Sequence, residues 1–307
     1  MSIDTTLQQH LDHVAVGKGI TRGGVTFIPV YLHHERPGAV AVAPGAGVRV
    51  TERPNADVPT LLVQNPGDAP ALLVEGEIVE GGRQTRSLNV TVLVGANSTL
   101  EIPVSCVEQG RWGGGSEFAR RRALAPRRVR RSKVGSVGSS VRRSGERYSD
   151  QGAVWNVVDH ELVRLQAHSA SRSLAAAEEA LGRDDEATRI VDELVQRGPL
   201  PGQCGVVIAH GSRIVSAEVF ATAAMLAAYW EGIVRAAIMD APEEPPTSKP
   251  SLTRAVKFLR TVAKARATVT DGVGLGREYH VESRSIVAQA LVHDTLLVHA
   301  SAFALAA

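Results

Sequence analysis

An α+β fold follows from three features of the sequence. Short apolar runs broken by Gly, Pro, Asn and Ser fill the first half, as in "TLLVQNPGDAPALLVEGEIVEGG". Apolar residues at helical spacing fill the middle, and strand-like runs return at the C-terminus. Strands, then helices, then strands is not the regular alternation of a doubly wound sheet. The N-terminal half is therefore expected to be a sandwich or barrel-like sheet, followed by central helices and C-terminal β-hairpins.

The elements can be justified in order. "VTFIPVYL" (25–32) and "TLLVQN" (60–65) are rich in β-branched and aromatic residues and bounded by turn formers. About four short strands follow to residue 110, and Asn89, Thr91 and Leu93 alternate with Val90, Val92 and Val94. Val158, Leu162 and Leu165 recur at i, i+4 and i+7 on a helix that Asp150 caps and Gly182 is expected to end. Asp184 or Asp185 caps the next helix, which stops at Gly198-Pro199. "CGVVIAHGSRIVSAEVF" reads as a hairpin around His210-Gly211, and a mostly apolar helix runs from about 220 to 239. Ser251 begins a helix with a cationic face of Arg254, Lys257, Arg260 and Lys264. Strands then close the chain, with a turn near His293-Asp294.

The formal charge of +2 conceals a segment of opposite character to the rest. From Arg120 to Arg147 there are eleven Arg or Lys and one Glu, a local charge of +10, so the remainder is net acidic. Gly, Ser and Arg dominate residues 113 to about 150 without a sustained apolar period. A flexible or ligand-ordered loop is expected there. It has three readings: a solvated linker, a clamp for phosphates of a small ligand, or a nucleic-acid contact. Stacking aromatics would accompany the last, and only Phe118 and Tyr148 flank the run.

Two cysteines, Cys106 and Cys204, are too few for a disulfide framework and suit a reducing compartment. The N-terminus lacks the basic and apolar regions of a secretory signal, and no apolar run reaches the length of a membrane span. A cytoplasmic protein with no membrane partner is expected. The histidines, His33-His34, His280, His293 and His299 among them, form no HxH or HExxH pair, so no metal site is assigned and the cofactor is left unknown. "GVGLG" (272–276) precedes a strand and lacks a P-loop ending, which makes it a turn.

Chemistry concentrates in two stretches. In "IPVSCVEQGRW" (102–112), strand period 2 puts Cys106 and Glu108 on one face, with Ser105, Gln109 and Arg111 on the other. Glu108 is a candidate general base, and Cys106 a candidate nucleophile if a cation such as Arg111 lowers its pKa. The plain alternative is a buried cysteine acting as a small hydrophobe. In "EGEIVEGGRQTRSLN", Glu75 and Glu77 share a face. Gln84 and Arg86 follow the Gly81-Gly82 turn. If the two strands pair, a carboxylate, an amide and a guanidinium meet, a set suited to a ribose, a base edge or a phosphate. An ordinary cross-strand salt bridge fits equally well.

These stretches, with "GVVIAHGSRIVSAEVF" and "LVHDTLLVHASAF", resemble the ARPP-1 domain, which is associated with ADP-ribosylglycohydrolases and rhodanese-phosphatase proteins. The resemblance runs from about residue 10 to the end and implies a single domain over 1–307. It also implies NAD or ADP-ribose metabolism, with a small phosphorylated or nucleotide-like ligand. Carried over by position, the site residues are Glu77, Gln84, Arg86, Cys106, Glu108, Arg111 and Trp112. The expected function is to bind, and in an enzyme to process, an ADP-ribose-like ligand. The alternative is a non-catalytic scaffolding module that meets nucleic acid or another anionic partner through the Arg-rich loop.

Overall fold

The computed structural model describes residues 7–11, 14–32, 43–44 and 47–305. Its helices are α1 (Gln8–Leu11), α2 (Arg127–Ser144), α3 (Gln151–Arg164), α4 (Ala175–Arg183), α5 (Asp185–Arg197), α6 (Ala223–Met239) and α7 (Leu252–Lys264). The strands of the first half are β1 (Val14–Val16), β2 (Ile20–Arg22), β3 (Val25–Leu32), β4 (Ala43–Pro44), β5 (Arg49–Thr51), β6 (Thr60–Asn65), β7 (Ala71–Leu73), β8 (Glu77–Gly81), β9 (Arg86–Leu88), β10 (Val92–Val94), β11 (Ser98–Cys106) and β12 (Glu117–Leu124). The second half adds β13 (Gly205–His210), β14 (Arg213–Phe220), β15 (Ala267–Asp271), β16 (Arg277–Glu282), β17 (Ile286–His293) and β18 (Leu296–Ala304).

The expected α+β order holds. Strands β11-β6-β5-β12-β8-β9 close into a barrel, with Val50, Leu61, Val63, Val79, Leu88 and Val104 in its core. A second, antiparallel sheet runs β1-β3-β13-β14-β18-β17-β16-β15, with β2 also on β3. Helices α1 and α7 cover one face of it through Ala255, Leu259 and Val262. The apolar α6 and the α3–α5 group fill the space on the barrel side, where Phe27, Phe220, Leu226 and Trp230 pack. Sequence capping was legible: Asp150, Asp184 and Ser251 each accept a backbone N–H from the first turn of their helix. The helix begun by Asp150 ends at Arg164, before Gly182, and α4 is a separate piece.

The basic segment is the main correction. Where the composition suggested a loop over 113–150, residues 117–124 are barrel strand β12 and residues 127–144 are the helix α2. Its inward stripe is Val129, Arg130, Lys133, Val134, Val137 and Val141, a helical period in which two cations take core positions. Val137 and Val141 join the barrel core, while Val134 packs on Val287 and Phe303 of the large sheet. Helix α2 is thus the wedge between the two β units.

The two buried cations of the wedge are matched. Arg130 donates to Glu75 from Nε (3.0 Å) and Nη2 (2.9 Å), and to Glu218 from Nη1 (2.6 Å). Lys133 Nζ donates to Glu75 Oε1 at 2.8 Å and to the Leu88 carbonyl. Ser301 donates to Glu75, and Glu218 meets His299, whose other ring nitrogen meets Thr91. Barrel, wedge and sheet are therefore joined by one buried polar network. Burial opposes the Glu75 charge, but Arg130 and Lys133 outweigh it and hold its pKa below the usual carboxylate range. Gly76 has φ +83°, and a Cβ there would lie 2.3 Å from Arg130 Nε, so glycine is what lets the guanidinium reach Glu75.

Among the described residues, no helix is long and apolar enough to cross a membrane, and no group of three or more His, Cys, Asp or Glu is placed to hold a metal. His33-His34 lie outside the described residues.

Candidate functional site at the barrel end

Register positions the site. Strand β11 pairs with β9 so that Cys106 stands opposite Arg86, and β8 pairs with β9 so that Val79 also faces Arg86. Side chains of directly opposed residues lie on the same face. The Cys106 thiol and the Arg86 guanidinium accordingly meet, with Nη1 3.8 Å from Sγ.

Beyond Cys106 the strand stops, and the chain turns toward the segment after α3. Glu108 bridges to Ser173, and Gly110 N donates to the Ser171 carbonyl at 2.8 Å. Arg111 curls back instead of pointing to the opposite face, as continued strand period would have it. Its Nε and Nη2 fork onto Glu108 at 2.9 and 2.6 Å. Glu108 also accepts from Thr85 N (2.8 Å), Thr85 Oγ1 (2.9 Å) and Ser171 Oγ (2.7 Å). Burial alone would raise its pKa. The hydrogen bonds from Arg111, Ser171 and Thr85 prevail and bring it down to about 2.

Cys106 is fully buried. Its thiol donates to the Glu108 carbonyl at 3.0 Å, and Gln151 grips its backbone, accepting from N at 2.9 Å and donating to O at 2.8 Å. Burial pushes the thiol pKa up, more than the hydrogen bond to Glu108 and the charge of Arg86 lower it.

Arg86 differs from every other buried cation described so far. It is 0% exposed and donates Nε to the Val58 carbonyl at 3.1 Å; among the described residues it makes no ion pair and its Nη2 has no hydrogen-bond partner. Burial lowers its pKa and outweighs the attraction of nearby Cys106, Glu52 and Glu108, none of which forms an ion pair with it. Trp112, 50% exposed, covers it, with the Arg86 and Arg83 Cζ atoms 5.9 and 5.4 Å from the ring centroid. Gln84 donates to the Glu108 carbonyl at 2.9 Å, leaving its Oε1 without a partner among the described residues, as are Glu52 Oε2 and Ser87 Oγ.

Of the seven residues expected from sequence, the structure brings six together: Gln84, Arg86, Cys106, Glu108, Arg111 and Trp112. Glu77 stands apart. Although β8 and β9 do pair, Glu77 lies at the far end of that hairpin. It receives Arg120 at 2.8 and 3.0 Å and Tyr229 at 3.2 Å. Glu75, expected beside it, diverges at Gly76 toward α2. Sequence reasoning missed Thr85, Gln151, Trp155, Ser171 and Glu52. Gln151 was legible only as the residue after a helix cap, and its aim at Cys106 depends on how α3 packs.

The cations of the basic segment are largely engaged inside the molecule. Besides Arg120, Arg130 and Lys133, Arg128 meets Glu161 and Asp240, Arg142 meets Glu282, and Arg147 meets Glu278.

These features define a class: an α+β protein whose closed barrel, wedged against a large antiparallel sheet, ends in a buried, unpaired guanidinium. The chain belongs to the ARPP-1 family, described as the ARG and Rhodanese-Phosphatase-superfamily-associated Protein domain, which it matches over residues 13–303. No curated protein and no solved structure matches it.

Proposed function

We propose that the barrel end binds an ADP-ribose-like or nucleotide-like ligand, in keeping with the ADP-ribosylglycohydrolase context in the family's name. The observation that carries this reading is Arg86, a buried guanidinium with a free Nη2 beneath a half-exposed indole. Burying a charge without a partner costs several kcal/mol. A phosphate oxygen entering under Trp112 would supply the missing anion in the forked geometry that guanidinium favours. Trp112 offers a face for the base, and Gln84 Oε1 an acceptor for a ribose hydroxyl.

Glu108 and Cys106 serve binding better than catalysis. A carboxylate at about pKa 2 with five hydrogen bonds has little basicity near neutrality and instead fixes Arg111 and Thr85. Cys106, its pKa raised, is a thiol wall of the site. The scaffolding alternative needs free cations in 113–150, and the ion pairs of Arg120, Arg128, Arg130, Lys133, Arg142 and Arg147 weaken its basis.

The test is a thermal-shift and calorimetry panel of NAD, ADP-ribose, ADP, AMP and inorganic phosphate. A true ligand at 100 Kd stabilises by about 2.7 kcal/mol. Saturable binding of ADP-ribose or a nucleotide is expected. A panel with no binding member would overturn the proposal.

A further inference from the structure

On the far side of the large sheet, away from the barrel, α7 borders an open groove of about 1160 Å³. Helix α7 is amphipathic in an unequal way. Ala255, Leu259, Val262 and Ala263 are buried against the sheet, while Leu252, Val256, Lys257, Arg260 and Lys264 line the groove. Leu252, Val256 and Arg260 form one i, i+4 ridge. Val16 and Ala265 extend the apolar floor, and Arg284, on the turn between β16 and β17, forms the opposite rim.

Among the described residues, the rim charge is of one sign. Lys257, Arg260, Lys264, Arg266 and Arg284 are exposed, and none has an ion-pair or side-chain hydrogen-bond partner among the described residues. The cations of α2 are largely matched to carboxylates, so these five stand out. A second hollow of about 740 Å³ shares Ser283 and Arg284 with the groove and reaches Arg266; its carboxylate, Glu282, is engaged by Arg142.

We infer that this groove is a docking site for an acidic amphipathic peptide segment of a partner protein. Apolar side chains of the segment would lie on Leu252, Val256, Val16 and Ala265, with its carboxylates on the lysine and arginine rim. A helix laid in a groove uses this division of labour. Charge complementarity excludes basic partners, since like charges brought together cost affinity and slow association. Nucleic acid fits less well because, among the described residues, no aromatic ring lines the groove for bases to stack on. An anionic membrane surface fits less well because the apolar residues form the floor of a concavity, whereas interfacial helices project theirs outward. The groove lies on different elements from the barrel end, so this inference is independent of the proposed ligand.

The experiment uses the full-length protein and a fluorescein-labelled helical peptide of about four turns with Glu on one face and Leu on the other. Its controls are a Lys-for-Glu version, a dT oligonucleotide and vesicles containing phosphatidylserine. Anisotropy is expected to give saturable binding of the acidic peptide, weakening as salt rises. The double variant Lys257→Glu/Arg260→Glu, with a folded circular dichroism spectrum, should bind at least about tenfold more weakly. Val256→Ser, which changes no charge, should also lose affinity, which separates groove binding from loose charge attraction. The inference fails if the acidic peptide does not bind, or if the charge-reversal variant binds it as well as wild type. It also fails if the oligonucleotide or the vesicles bind while the peptide does not. Self-association that sedimentation shows to be abolished by the same double variant would assign the groove to a second copy of the chain and overturn the peptide reading.

Discussion

Arg130 and Arg86 are both arginines buried in the same protein, and they are solved in opposite ways. Arg130 has two carboxylates, three hydrogen bonds to them, and the ring of Phe303 beneath it. Arg86 has a backbone carbonyl, a thiol and an exposed indole. The first arrangement closes on itself and joins three structural units. The second leaves a donor unanswered at the end of a barrel. Burial of a charge is thus not a mark of function by itself; what distinguishes the two is whether a carboxylate of the protein directly contacts the guanidinium. Where it does, the cation is architecture. Where it does not, a ligand is the natural counterpart.

The comparison can be broken by removing each side in turn. Arg130→Met leaves Glu75 with Lys133 as its one remaining cation and Glu218 without its guanidinium. Loss of one member of a buried ion network costs about 3–5 kcal/mol. Urea unfolding should show that drop in stability, and a change below about 1 kcal/mol would mean that the network does not hold wedge to barrel and sheet.

The Glu108 cluster comes next in size and sharpens the comparison, because there a buried carboxylate has been fully matched. Its folded pKa, about 2, lies below the unfolded value near 4.3. The stabilisation is therefore present above pH 4–5 and lost as the pH falls toward 2. Glu108→Gln should be less stable than wild type by roughly 2–3 kcal/mol near neutrality. The gap should close on acidification. A gap that stayed constant from pH 7 to pH 2.5 would show that the carboxylate charge is not what matters.

How much of this could be read in advance depends on whether the cause was local. Strands 25–32 and 60–65, the caps at Asp150, Asp184 and Ser251, and the hairpin at His210-Gly211 were legible because turn chemistry and side-chain period are local. The α2 helix was not. Its stripe includes Arg130 and Lys133, and their core positions make sense only once Glu75 and Glu218 arrive from distant parts of the chain. Counted as solvated charges, they erased the period. The same holds at the site. The pairing of Cys106 with Arg86 is a register fact that no spacing within "IPVSCVEQGRW" contains. Glu77 was misplaced because a hairpin brings residues near its turn together, and Glu77 lies at the other end.

Arg86→Met should behave unlike Arg130→Met. Removing an unpaired buried charge for an apolar chain of similar length relieves desolvation, so stability should stay within about 1 kcal/mol of wild type or rise. A loss comparable to that of Arg130→Met in urea unfolding would place Arg86 with the architecture. Smallest of all, Trp112→Ala should change stability by no more than about 0.5 kcal/mol, since the indole is half exposed. Base stacking of the kind proposed is worth about 1–3 kcal/mol per base, so its effect should appear in ligand affinity instead.

The most direct measurement is calorimetric titration of ADP-ribose into wild-type protein and into Arg86→Met, with both proteins shown to be folded and equally stable. Saturable binding to wild type and its loss in Arg86→Met are expected, as an unanswered guanidinium that takes a phosphate would give. Equal affinity in the two proteins would contradict the claim that Arg86 is where the barrel end meets its ligand.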